Sequence, residues 1–143
     1  MIVPLLLGLT LSSPDVKTGV QIPNAFVWNK DGCHGQNRTP RLTWDAPPPG
    51  TLYFILIVRD FDAPKPGGWL HLAVFHIPKR ARALGNLENP DSGMPVQNDF
   101  DTYGWGGPCP PPGRLHHYTF TLAAIGAKKN SLATSTLVPV YRR

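Results

Sequence analysis

"TLYFILIVRDFDAPKPGGWLHLAVFHIP", Thr51 to Pro78, is the stretch on which the fold class turns. Thr51 to Asp60 is rich in aromatic and β-branched residues, lies between "PPPG" and "DAPKPGG", and is apolar on both faces. That is the pattern of a central strand buried between two layers. Trp69 to Ile77 is a second such run, stopped by Pro78, and His116 to Ile125, which alternates at its start, is a third. Helix signals are sparse. Lys79 to Gly85 allows at most one or two turns, with Gly85 as the stop. The C-terminal "SLATSTLVPVYRR" reads either as a short strand or as a last helix ending at Pro139. Strands at short intervals with minor helices predict a mainly β architecture, a sandwich or a barrel.

The chain of 143 residues fits one domain spanning 1–143, long enough to bury a hydrophobic core of its own. Hydrophobic residues make up 41% and charged ones 16%, with 17 prolines and 14 glycines. This suits strands joined by stiff turns and excludes a disordered chain. The net charge of +5 is scattered, with clusters only at Lys79, Arg80, Arg82 and at Arg142, Arg143. Neither cluster lies in a nucleic-acid-binding pattern, so no nucleic-acid partner is expected. A solvated basic surface, compatible with anionic lipid head groups, is the reading. The apolar run Ile2 to Leu11 lacks a basic flank and is too short to span a bilayer. It reads as a first strand, with a trimmed leader as the competing reading, and no transmembrane segment is expected.

Cys33 and Cys109 lie far apart, and neither belongs to a Cys-x-x-Cys pair. No structural zinc site is expected. They are either two free thiols or one disulfide. The free-thiol reading goes with the cytoplasm and the bridged one with a periplasmic or secreted protein.

Residues two apart on a strand share a face. His71 is therefore expected with Trp69, Ala73 and Phe75, and His76 with Leu70, Leu72 and Val74. His116 falls with Tyr118 and Phe120, whereas Asp60 closes the face of Phe54, Leu56 and Val58. Asp60, His71, His116 and Tyr118 thus come to strand ends beside Pro- and Gly-rich loops, where an apolar pocket with a few polar groups would form. His76 is expected to be packed and His117 exposed. A catalytic Cys109 with His71 or His116 as its base is the enzyme alternative. No nucleophile-elbow or cysteine-enzyme signature accompanies it, so no catalytic residue is assigned.

Two blocks carry a family resemblance: "RDFDAPKPGGWLHLAVFHIP" (59–78) and "YGWGGPCPPPGRLHHYTFTLAAI" (103–125). They resemble the signatures of the phosphatidylethanolamine-binding protein family, in its bacterial and archaeal, Raf kinase inhibitor-like branch. The first signature reads Asp-Pro-Asp-Ala-Pro followed by Trp-x-His, and the second a Gly-Pro-x-Pro-Pro-x-Gly run followed by His-Arg-Tyr. "CHGQNRTPRLTWDAPPPGT" (33–51) resembles the segment upstream of the first core strand. The resemblance implies a β-sandwich with a few short peripheral helices and a small anion pocket at one end. It places Asp60, His71, His116 and Tyr118 in that pocket and Ala63, Pro64, Trp69, Pro110 and Pro111 in its wall. Trp105 stands where a pocket tyrosine is usual, Phe61 replaces a proline, and His117 replaces an arginine. The C-terminal segment is shorter than usual. The resemblance also implies cis peptides at Ala63–Pro64 and Gly67–Gly68, and no cofactor. Its expected partners are a phosphate-containing small molecule or phospholipid head group, or a kinase or protease inhibited by the protein. With histidines as donors, anion binding is expected to strengthen as pH falls through the histidine range.

Overall fold

A computed structural model describes residues 8–143. Most of the Ile2–Leu11 run lies outside the described residues. Its end forms β1, Leu11–Ser12. The other strands are β2 (Leu42–Trp44), β3 (Tyr53–Asp60), β4 (Trp69–Pro78), β5 (Ala83–Leu84), β6 (Met94–Pro95), β7 (His116–Ile125), β8 (Ser131–Leu137) and β9 (Val140–Tyr141). Two single-turn 3-10 helices, Asn24–Phe26 and Pro90–Ser92, lie in the connections.

The larger, six-stranded sheet runs β6-β4-β3-β7-β8, with β9 pairing to the start of β7, and a three-stranded sheet runs β1-β2-β5. All of these strand pairings are antiparallel. The chain is a mainly β protein built of two such sheets. Side chains alternating along β3 and β7 put Phe54, Leu56, Val58, Phe120 and Leu122 on one fully buried face. Leu42 and Trp44 of β2 turn toward the same core, where Trp44 meets Phe54 edge to face at 5.5 Å between ring centres. Burial of branched and aromatic surface from both sheets supplies the main driving force for folding.

At three places the structure departs from the expected pattern, and at the C-terminus strand prevails over helix. The second face of β3, from Tyr53 to Arg59, is half-buried rather than covered by a layer, since among the described residues only two sheets form and the core lies on the other face. Lys79 to Gly85 forms no helix; its chain turns and then adds β5 beside β2. The C-terminal segment is a strand pair, β8 and β9, interrupted at Pro139, whose missing N–H breaks the ladder. His76 is exposed, with φ at 51°, where two residues of β4 oppose one of β3 in a bulge.

The segments outside the sheets fold across one end of the core. Trp28 N–H donates to the Pro108 carbonyl at 3.1 Å, and Cys33 bridges Cys109 with Cα atoms 6.0 Å apart. Gly107 makes this crossing possible, since a Cβ there would strike the Phe26 carbonyl and the Trp28 backbone.

Candidate functional site

Three neighbouring strands build the floor of the site. In register, Asp60 at the end of β3 lies opposite Trp69 on β4 and Tyr118 on β7. His116, two residues before Tyr118, shares its buried face. His71 arrives differently. The β3–β4 register slips between Val58–Leu72 and Arg59–Leu70, so His71 is the extra residue of a bulge. Consequently His71 and Leu72, although consecutive, are both buried. The bulge aims His71 to the side of Trp69 without disturbing the core face beyond it.

Each buried polar group has a defined environment. His71 Nδ1 lies 2.6 Å from the Gly106 carbonyl oxygen, and Gly106 N–H donates back to the His71 carbonyl at 2.9 Å. A carbonyl only accepts, so Nδ1 of His71 carries the hydrogen. Burial lowers the His71 pKa from the usual 6.5 to about 4, the Gly106 carbonyl and the Asp60 charge opposing it only in part. His71 is therefore neutral near pH 7. His116 Nδ1 lies 2.6 Å from Asp60 Oδ2, and the other Asp60 oxygen accepts from Asp62 N–H at 2.8 Å. Both oxygens of the buried carboxylate are thus committed. Tyr118 Oη and Trp69 Nε1 are buried without a hydrogen-bond partner. Burial, with the Asp60 charge next, pushes the Tyr118 pKa upward, so its hydroxyl keeps its proton.

Above these groups opens a cavity of about 690 Å³. The structure brings Asp60, His71, His116 and Tyr118 together at its lining, with Ala63, Pro64, Trp69, Pro110 and Pro111 in the wall. Trp105 is not brought there. Its indole N–H donates to the Phe26 carbonyl at 3.0 Å, and its ring packs behind His71 and against Phe120. The cis peptides are absent as well: all described peptides are trans, and the chain reverses before Trp69 through positive φ angles of 81° at Gly67 and 83° at Gly68. A Cβ at Gly68 would approach the Asp60 carbonyl to 2.6 Å, which ties this glycine to the site.

The sequence reading missed part of the wall. Phe100 stacks on Trp28 with ring centres 4.0 Å apart and meets Trp69 edge to face. The turn that presents it is held by Asn98, whose side-chain oxygen accepts from Phe100 N–H and whose amide donates to the Gly104 carbonyl. The Asn-Asp-Phe-Asp run is a turn signal that could have been read, but nothing local says which way the turn points. Lys30, Lys65 and Arg143 also reach the lining, as do Asp31, Asp99 and Asp101. Burial would raise the Asp99 pKa, but the Leu70 N–H and the Lys65 ammonium, 2.9 Å away, outweigh it and lower it. His117 stays exposed, as expected, and bonds Asp62, lowering that carboxyl's pKa. Cys109 is committed to its bridge with Cys33, which leaves no thiol there to act as a nucleophile. Among the described residues, no group of three or more His, Cys, Asp or Glu is placed to hold a metal ion.

The profile of the phosphatidylethanolamine-binding protein family matches residues 12–140. The chain belongs to the phosphatidylethanolamine-binding protein family. YbcL of Escherichia coli is 34% identical to it, over 92% of this chain and 86% of that protein. YbhB of the same organism is 35% identical, over 85% of this chain and 80% of that protein. The crystal structure of E. coli YbcL, described as a new member of the mammalian family, superposes with a TM-score of 0.88 at 33% identity. That superposition covers 94% of this chain and 98% of the other. None of these names is a catalytic one.

Proposed function

We propose that this family member is a non-catalytic binding protein whose cavity takes a phosphate-type anion, free or as a phospholipid head group. The observation that carries the reading is the meeting of Asp60, His71, His116 and Tyr118 at the lining of one apolar-walled cavity. Tyr118 and Trp69 each keep an unspent donor there. His116, held through Nδ1 by Asp60, leaves Nε2 free, an acceptor in the neutral ring and a donor to an anion only in the imidazolium. Asp60 is itself hydrogen-bonded through both oxygens, to Asp62 N–H and to His116, so it serves to hold His116 rather than to contact the anion. Strand ends and prolines hold the groups in place, which reduces the ordering cost of binding.

Titration of the full chain with inorganic phosphate and phosphoethanolamine tests this reading. His71→Ala and His116→Ala should each weaken binding about tenfold or more, the scale of a lost hydrogen bond to a charged group. Unchanged affinity in both variants would remove the cavity from the function. The Cys33–Cys109 bridge supports residence in an oxidising compartment. Thiol counting on protein taken directly from cells should find both cysteines blocked until reduction.

A further inference from the structure

The donor and acceptor pattern of the site is lopsided in a way that selects among anions. The Gly106 carbonyl fixes the hydrogen of His71 on Nδ1. In the neutral ring, Nε2 is then a bare acceptor on a residue that lines the cavity. Charging the ring to turn Nε2 into a donor is opposed by its burial, which outweighs the Gly106 carbonyl and the nearby carboxylates. Phe100, Trp105 and Tyr118 surround the imidazole with ring-centre distances of 5.6, 6.3 and 5.0 Å. The carboxylates nearest in effect, Asp60 on β3 and Asp99 in the loop after β6, favour the charged ring but are themselves paired with His116 and Lys65. Donors come from Lys30, Lys65 and Arg143 at the same lining, while Tyr118 Oη on β7 and Trp69 Nε1 on β4 are buried there without partners.

The complement of such a site is a group that both accepts and donates. A phosphate that still carries a proton does so, through P–O⁻ and P–O–H. Sulfate and a phosphodiester have the same tetrahedral shape and negative charge but, fully ionised, only accept. We propose that the cavity selects a proton-bearing phosphate, either inorganic phosphate or a phosphomonoester, over sulfate and phosphodiesters, with His71 Nε2 accepting the P–O–H hydrogen. This rests on the anion reading above and narrows it. A monoester has its second pKa near 6, so its affinity should fall up to tenfold per pH unit above that value. Inorganic phosphate keeps one proton across the same range and should not weaken in that way.

Calorimetric titration of the full chain at pH 7.5 with inorganic phosphate, sulfate and dimethyl phosphate tests the inference. Phosphate should bind at least about tenfold more tightly than either of the others, the scale on which a site built for a donor rejects an analogue lacking it. Sulfate binding as tightly as phosphate would overturn the inference while leaving the anion reading intact. Absence of binding by all three would overturn both. In His71→Gln, whose side-chain amide offers an N–H of its own, the preference for phosphate should shrink toward unity. A folded variant that keeps the full preference would also refute the role of His71, and the unsubstituted protein decides the matter if the variant does not fold. Short-chain phosphatidate, titrated beside inorganic phosphate, distinguishes a lipid source of the monoester from a free one.

Discussion

His71 is a residue whose burial has a measurable signature. Its folded pKa of about 4 lies below the 6.5 of an unfolded histidine. The unfolded chain therefore binds more protons between these values, and stability falls as pH drops through that window. The contribution is fully present above pH 6.5 and is spent near pH 4. Its total is up to about 3 kcal/mol at 1.36 kcal/mol per pKa unit. Urea unfolding from pH 7.5 to pH 4 should show the decline, and His71→Gln should flatten it. Tyr118→Phe separates binding from folding in another way. The hydroxyl is buried and unpaired, so its loss should leave stability unchanged or slightly raised, while phosphate affinity drops about tenfold. A fall of several kcal/mol in stability with binding intact would show a structural hydroxyl instead. Residue identities at the floor of the site were legible in the sequence because each belongs to a spaced motif. The neutral state of His71 was not, since it depends on a carbonyl 35 residues away.

Among the elements, β3 and β7 were legible almost to the residue, β7 from its alternation and β3 from a continuous apolar run bounded by turn signals, although that run overstated the burial of the second face of β3. β4 was legible as a strand but not in its register. Strict alternation puts His71 with Ala73 and Phe75, whereas the bulge sets it beside Leu72 on the buried side. A bulge depends on what the neighbouring strands demand, and no local pattern announces it. The loop elements carry their own constraint at Gly107, where an added methyl would meet backbone rather than a yielding side chain. Gly107→Ala should cost about 1–3 kcal/mol, the range of overpacked sites. Gly67→Ala, at a positive φ but with open space around it, should cost about 1–2 kcal/mol through the backbone alone. Paired denaturation curves with phosphate present and absent would show whether the Gly107 crossing also holds the cavity wall.

The whole molecule gathers segments far apart in sequence around one end of the sandwich. The disulfide joins residues separated by 76 positions, and closing so long a loop in the unfolded chain should be worth about 4 kcal/mol. The double variant Cys33→Ser/Cys109→Ser should lose roughly that much in equilibrium unfolding, with the cavity wall at Pro110 and Pro111 loosened and phosphate affinity lowered. A double variant as stable as the parent would assign the bridge no structural share. At this scale the described chain contains no helix long and apolar enough to cross a membrane.

The sequence by itself determined the three long strands β3, β4 and β7, the family, and four of the polar residues at the cavity, because periodicity and motif spacing are local properties of the chain. Tertiary structure alone decided four things: the bulge that turns His71 inward, the withdrawal of Trp105 behind it, the Phe100–Trp28 wall, and the pairing of Cys33 with Cys109. Each arises where two segments distant in sequence compete for one space or one hydrogen-bonding group. The outcome of that competition is fixed only when both are in place.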